Sequence, residues 1–325
     1  MRVVVFGAGG RHKTEASIVR AVRSLGHRCR LVNAVMLARY AGPLAGRAAR
    51  YMTDELQPDF LILTRHAARL GAPSLREMLR RRQSAFWYFD FLPKSDVLML
   101  GRLAGAMYTT YLGQLDTYRA AGIPDVRFLP QGVDPRLDAP GGNAPDSYIC
   151  DTSFVGSGQY RFRDDVLRAV ASVSRLQIRG PGWKGAPPDL PVAGRTVRGR
   201  RLARVVKGAA ISLGASAIAE QDMDRASASN RMWKIFGCGG FFLGRYVPDI
   251  EHFAVDGRHC AWYRDAEEAK KLTRYYLANP ELRERIAAAG RAHALEHHTY
   301  AHRVELLLAG KGYALENAGQ AQTTV

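Results

Sequence analysis

The stretch SASNRMWKIFGCGGFFL, residues 227–243, decides how this chain folds. Ser227, Ser229 and Asn230 are residues whose side chains cap helix N-termini. Met232, Ile235 and Phe236 then recur at helical spacing and supply one apolar face. Gly237, Gly239 and Gly240 end the helix with residues small enough for it to lie tightly on a core strand, read at 240–243. A capped helix running through glycines into a buried strand is one α/β unit. The reading predicts a helix from about Asn230, with Arg231 in its first turn and Lys234 one turn on. A cation in a first turn opposes the helix dipole by a few tenths to about 1 kcal/mol, and an anion bound there reverses the sign. Ser229, Asn230, Arg231 and Lys234 are therefore candidates for holding a diphosphate. A surface helix with stray basic residues is the plainer alternative.

Outward from there the same grammar repeats. Residues 3–6 (VVVF) form a β-branched run that ends in a glycine turn, GAGG at 7–10. Residues 14–26 follow, with Ala16, Val19, Val22 and Leu25 at helical spacing and Gly26 as a C-cap. Further strands are expected at 30–34, 60–63, 85–89, 107–109 and 126–129. Residues 130–145, PQGVDPRLDAPGGNAP, are rich in Pro, Gly and Asp and read as an interdomain linker. A second series then places strands at 152–155, 176–179, 209–213 and 240–243. Its helices are expected around 163–173, 267–277 and 282–293. Strands separated by helices imply right-handed crossovers and mostly parallel sheets. The expected division is a first domain over 1–135, a linker over 136–150 and a second domain over 151–298. A C-terminal helix and tail occupy 299–325, the helix expected to pack back on the first domain. Two doubly wound α/β domains joined in this way place a cleft between their C-terminal strand edges, where such folds bind ligands.

Length and composition agree. At 325 residues the chain exceeds what one core supports, roughly 250–300 residues. The net charge of +17 implies nucleic acid, an anionic membrane surface or phosphorylated ligands as partners. The runs at 80–82 (RRR) and 198–204 (RGRRLAR) lack interleaved aromatics, which argues against nucleic acid. A solvated face or a peripheral contact with an anionic membrane fits them better. No segment approaches the ~20 apolar residues of a spanning helix, and the N-terminus reads as a buried strand rather than a secretory signal. Cys29, Cys150, Cys238 and Cys260 have neither C-x-x-C nor zinc spacing, so reduced thiols and no metal site are expected. These features place the protein in the cytoplasm or at the inner membrane face. The tail 316–325 has no apolar periodicity and is expected to fray.

Other residues are candidates by position. Gly9 and Gly10 close the first strand and could admit a ligand to the backbone on an acceptor side; a tight strand-to-helix turn explains them equally. His12 stands where a dinucleotide fingerprint needs its third glycine, so it is a ligand-facing group or an ordinary loop histidine. Asp90, within WYFDFLP at 87–93, follows an apolar strand directly and could bind a hydroxyl or act as a base; capping the turn before Pro93 is the competing role. Gly156, Ser157 and Arg163 belong to the first strand-to-helix loop of the second domain and could meet the phosphates that Arg231 meets. Trp183, closing GPGW at 180–183, could stack on a base or only pack its loop. No Ser-His-Asp order, H-E-x-x-H or P-loop pattern is present.

At these residues the sequence resembles the CgeB-like group of glycosyltransferases, within the glycosyl transferases group 1 superfamily. The segments that carry the resemblance are 87–93, FLPQGVD at 128–134, DTSFVG at 151–156 with Arg163, GPGW at 180–183 and SNRMWKIFGCGGFFLGRYVPDIE at 229–251. It continues through DGRH at 256–259, Tyr263 and Asp265 to HTY at 298–300 with Arg303. The resemblance implies a GT-B architecture of two Rossmann-like domains facing a central cleft. It further implies a nucleoside-diphosphate sugar as co-substrate, bound mainly by the second domain, an acceptor hydroxyl bound by the first, and no bound cofactor. One departure stands out. The superfamily often has two glutamates eight positions apart across the diphosphate helix, and here those places hold Ala226 and Lys234. The second glutamate usually contacts the donor ribose, so ribose recognition differs here or the protein is a non-catalytic nucleotide- or glycan-binding relative. Glu251 completes V-P-x-x-E with its role open.

Overall fold

The computed structural model describes residues 1–216 and 227–315. Ala226 and the tail 316–325 lie outside the described residues. The chain divides into two compact units, the first formed by Met1–Gln131 and Tyr300–Ala314, the second containing Gly132–Thr299.

The first unit alternates β1 (Arg2–Gly7), α1 (Thr14–Ser24), β2 (Arg28–Asn33), α2 (Ala34–Ala41), α3 (Ala45–Leu56), β3 (Phe60–Leu63), α4 (Ala72–Leu79), β4 (Gln83–Tyr88), α5 (Ser95–Leu103), β5 (Ala106–Thr109), α6 (Leu115–Ala120) and β6 (Val126–Phe128). Its strands make one parallel sheet in the order β2-β1-β3-β4-β5-β6. Continuous apolar strands are what a sheet covered on both faces requires. Val4, Phe6, Leu61, Leu63, Phe86 and Tyr88 feed one core, and their alternates Val3, Val5, Phe60, Ile62, Ala85 and Trp87 feed the other. The helix Tyr300–Leu308 closes the second core with Tyr300, Val304 and Leu307, each fully or almost fully buried. Each such side chain contributes roughly 1.5–3 kcal/mol.

The second unit runs β7 (Cys150–Val155), α7 (Asp164–Ala171), β8 (Leu176–Arg179), β9 (Val192–Gly194), α8 (Arg200–Gly208), β10 (Ala209–Gly214), α9 (Asn230–Cys238), β11 (Phe242–Arg245), β12 (Ala261–Tyr263), α10 (Ala266–Ala278) and α11 (Pro280–His297). The sheet is again parallel, in the order β12-β11-β10-β7-β8-β9. Strand order reverses between β7 and β10, which are neighbours although two strands separate them in the chain.

Three expectations change. Residues 136–150 are not a free linker. Asp138 is buried, and a Cβ on Gly237 of α9 would overlap its carbonyl, so this segment is packed onto the second unit and the chain leaves the first after Gln131. The strand read at 30–34 ends at Asn33, whose side chain accepts from Met36 N at 3.2 Å and starts α2. The strand read at 240–243 begins at Phe242, because Gly239 at φ 79° ends α9 with its N–H on the Phe236 carbonyl. All four cysteines are buried free thiols. Burial pushes Cys29 and Cys150 up to about 11 and Cys238 up to about 12, so none is a nucleophile near neutral pH.

Candidate functional site

In a parallel sheet, the ends of the strands that flank a reversal of order leave a crevice. In the second unit those ends are Val155 of β7 and Ala215 after β10. Arg231, in the first turn of α9, joins them. Its Nε donates to the Val155 carbonyl at 2.7 Å and its Nη1 to the Ala215 carbonyl at 2.8 Å. The guanidinium lies 4.6 Å from the Phe154 ring centre. Its charge is therefore turned to strand-end carbonyls, which offsets the helix-dipole penalty expected of a cation at that position.

Arg163 enters from the loop after β7. It donates to the Ala215, Ser216 and Ser157 carbonyls and lies 4.9 Å from the centre of the same Phe154 ring. Two guanidinium groups thus flank one phenyl ring, and neither is ion-paired to a carboxylate among the described residues. Burial, then the like charge of Arg163, pushes Arg231 down to about 9; burial pushes Arg163 down to about 10. Both remain charged at neutral pH, so among the described residues the strand ends carry positive charge with no carboxylate partner, which an anion would neutralise.

Beside them is a cavity of about 220 Å³ among β7, β10, α8 and the start of α9. Arg198, Arg231 and Lys234 contribute its cations, and Leu202, Val206 and Ile235 its apolar wall. Ser212 Oγ and Asn230 Oδ1 also line it, and both are buried without a hydrogen-bond partner among the described residues. Such atoms cost roughly 1–3 kcal/mol each unless something fills them. A ligand bearing phosphate together with hydroxyl or N–H groups satisfies this set. Ser229 meets its expectation as a cap, accepting from Met232 N at 3.3 Å, which leaves its side chain committed to the helix.

Several candidates have packing roles. Trp183 is a correction: it is only 6% exposed, belongs to the core, and donates its indole N–H to the Gly156 carbonyl at 2.9 Å. A base cannot stack on it without opening that core. The glycines at 156–158 and 180–182 exist for one another. A Cβ on Gly158 would lie 2.6 Å from the Gly182 carbonyl, and one on Gly156 would lie 2.5 Å from Arg231 Nη2. Ser157 acts through its carbonyl, which holds Arg163, while its Oγ accepts from Gln159 N at 3.4 Å. Asn230 was already a candidate, whereas Arg198 and Ser212 were not legible beforehand. Arg198 sat in a run read as a charged surface, and Ser212 in a strand read only as core.

In the first unit the reversal of order lies between β1 and β3. The turn after β1 carries Gly9, Gly10 and His12; the loops after β3 and β4 carry Thr64, Arg65 and Asp90, so all share the C-terminal edge of one parallel sheet. Gly9 is packed against the Asn33 side chain, and Gly10 has φ 126°, so the tight turn accounts for both. His12 accepts from Arg11 Nε at 2.9 Å, and Asp90 is exposed and ion-paired to Arg65 at 3.0 Å. Sequence reading missed Glu15. Its buried carboxylate accepts from Ala8 N and Thr64 Oγ1, both at 2.9 Å, and ties the glycine turn to β3.

A family described as glycosyl transferase-like matches residues 162–309, which spans α7 to the last helix and includes Arg163, Arg198, Asn230, Arg231 and Lys234. No curated protein matches by sequence. Among solved structures, Anabaena HepE in complex with UDP-glucose aligns with TM-score 0.67 at 12% identity, covering 95% of this chain and 99% of that one. Sucrose-phosphate synthase from Thermosynechococcus elongatus aligns with TM-score 0.65 at 11% identity over 99% and 100% of the two chains. The β-glucosyltransferase of phage T4 aligns with TM-score 0.61 at 13% identity over 95% and 99%. At these identities the likeness is one of fold: the two Rossmann-like domains are those of GT-B glycosyltransferase structures.

Proposed function

We propose that this chain is a glycosyltransferase that moves a sugar from a nucleoside-diphosphate sugar to a hydroxyl acceptor. The observation that carries the reading is the pair of guanidiniums, without a carboxylate partner among the described residues, at the strand-order reversal of the second unit and inside the stretch that matches the glycosyl transferase-like family. In transfer, the acceptor oxygen bonds to the anomeric carbon as the bond from that carbon to the diphosphate oxygen breaks. The electron pair stays on the diphosphate, where Arg231, Lys234 and the N–H groups at the start of α9 meet the growing charge. Arg163 and Gly156 hold the loop against which it sits. The acceptor's proton needs a base, and Asp90 and His12 on the sheet edge of the first unit are the candidates. The basic surface of the protein is assigned to contact with an anionic membrane.

HepE binds UDP-glucose, so UDP-sugars head the donor panel, with GDP-, ADP- and TDP-sugars beside them. The true donor is expected to raise the melting temperature, since a ligand at 100 Kd adds about 2.7 kcal/mol to native-state stability. It should also be hydrolysed slowly to free sugar and nucleoside diphosphate. Stabilisation with no turnover in the presence of acceptor extracts supports the non-catalytic alternative; no stabilisation by any member contradicts the nucleotide-sugar reading.

A further inference from the structure

The exposed apolar surface of this protein is not scattered. Eleven large hydrophobic side chains are exposed among the described residues, and Met36, Tyr40, Leu44, Tyr51 and Met52 come from one span, 36–52. That span is α2, a short turn and α3 of the first unit. Tyr40 and Tyr51 are 73% and 68% exposed. Both helices also expose large apolar residues. α2 packs Ala34, Leu37, Ala38 and Ala41 on the core, and α3 packs Ala45, Gly46, Ala49, Thr53 and Leu56, while Met36, Tyr40, Tyr51 and Met52 face outward. A Cβ on Gly46 would overlap the Leu70 carbonyl, so the inner face has no room for a larger side chain there. A water-facing pair of helices would carry polar residues on the outward face.

The charge on this surface is mostly positive. Arg39, Arg47 and Arg50 stand on it; the acidic residues Asp54 and Glu55 come only in the last turn of α3, and Asp54 is ion-paired to Arg82. Arg50 is ion-paired to Glu77, whereas Arg39 and Arg47 have no ion-pair partner among the described residues. Aromatic and aliphatic side chains interspersed with arginine on a helical face match the boundary between headgroups and acyl chains of an anionic bilayer. The exposed face of α8 differs. Arg200, Arg201, Arg204 and Lys207 stand there with no large exposed apolar neighbour on the helix.

We propose that the α2–α3 surface of the first unit docks the protein on an anionic lipid bilayer, with Tyr40, Leu44 and Tyr51 entering the headgroup layer and Arg39 and Arg47 meeting lipid phosphates. This rests on the membrane reading above and assigns its surface. The test is co-sedimentation of the full chain with vesicles of equal parts phosphatidylglycerol and phosphatidylcholine, and with phosphatidylcholine alone. Wild type is expected to bind the anionic vesicles at low salt. Tyr40→Ser/Leu44→Ser/Tyr51→Ser should lower the partition coefficient about tenfold or more, as the apolar area is lost. Arg39→Gln/Arg47→Gln should weaken binding chiefly at low salt. All these positions are exposed, so unchanged circular dichroism and melting accompany the effect. Wild type that ignores both vesicles overturns the membrane reading itself. Binding that survives the triple serine substitution but is lost in Arg200→Gln/Arg201→Gln/Arg204→Gln keeps that reading and overturns the surface assigned here. Self-association that the serine substitutions abolish, with vesicles failing to compete, makes the face an interface between copies and also overturns it.

Discussion

Lys234→Glu is expected to weaken nucleoside-diphosphate binding more than Lys234→Ala does. Lys234 lines the cavity beside Arg231 and makes no ion pair with a described residue, so its replacement is expected to remove the proposed phosphate contact and little else. Arg231 is a poorer probe, because Arg231→Ala also strands the Val155 and Ala215 carbonyls that it bonds. Loss of one charge-assisted phosphate contact should cost roughly 10- to 100-fold in affinity, about 1.4–2.8 kcal/mol. Turnover should fall as well, because the contact strengthens as charge moves onto the leaving diphosphate. A glutamate adds repulsion to that loss. If the position instead faces the ribose, as the superfamily's glutamate does, Lys234→Glu will be tolerated or will tighten binding. Titration calorimetry with UDP and with uridine separates the two, since only the diphosphate should register the lysine.

Gly180→Ala is expected to be the most damaging single methyl group in the second unit. Gly180 has φ 153°, which strains any other residue, and an added Cβ would overlap the Gly156 carbonyl. That carbonyl cannot yield, because Trp183 donates to it and the Gly156 N–H is bonded to the Arg179 carbonyl at 2.9 Å. Backbone strain of about 1–3 kcal/mol and overpacking of about 1–3 kcal/mol both act, for a loss near 3 kcal/mol or more. A melting temperature lower by roughly 6–12 °C should follow. The displaced loop carries Ser157, so Arg163 should lose its anchor and nucleotide affinity should fall with stability. Gly142→Ala is the matched control: nothing lies within 4 Å of its added Cβ, and no change is expected. Equal melting temperatures for the two variants would contradict this account of the loops.

What the sequence made legible follows from burial. Strands 60–63 and 176–179 were read to the residue because apolar runs bounded by turns leave few alternatives. The capped helix at Ser229–Asn230 was equally plain. β9 was missed because it is a three-residue edge strand that is mostly exposed and has no apolar signal. α8 was hidden by its arginines, although Leu202, Ala203, Val205 and Val206 form a buried face beneath them. The site divided in the same way. Arg231 and Lys234 stood out as candidates from charge at a helix start, a local property. The role of Trp183 stayed open because its partner lies across the sheet edge, and only tertiary contact shows that the indole is spent on Gly156.

The central claim is that the donor nucleotide binds the second unit at the strand-order reversal. The most direct measurement is photolabelling of the full chain with 5-azido-UDP-glucose, followed by peptide mapping, with excess UDP as competitor. The account predicts UDP-protected label on peptides of the second unit from the loops at 156–163 and 180–198 or the helix start at 227–234. UDP-protected label confined to peptides within 1–131 would contradict it.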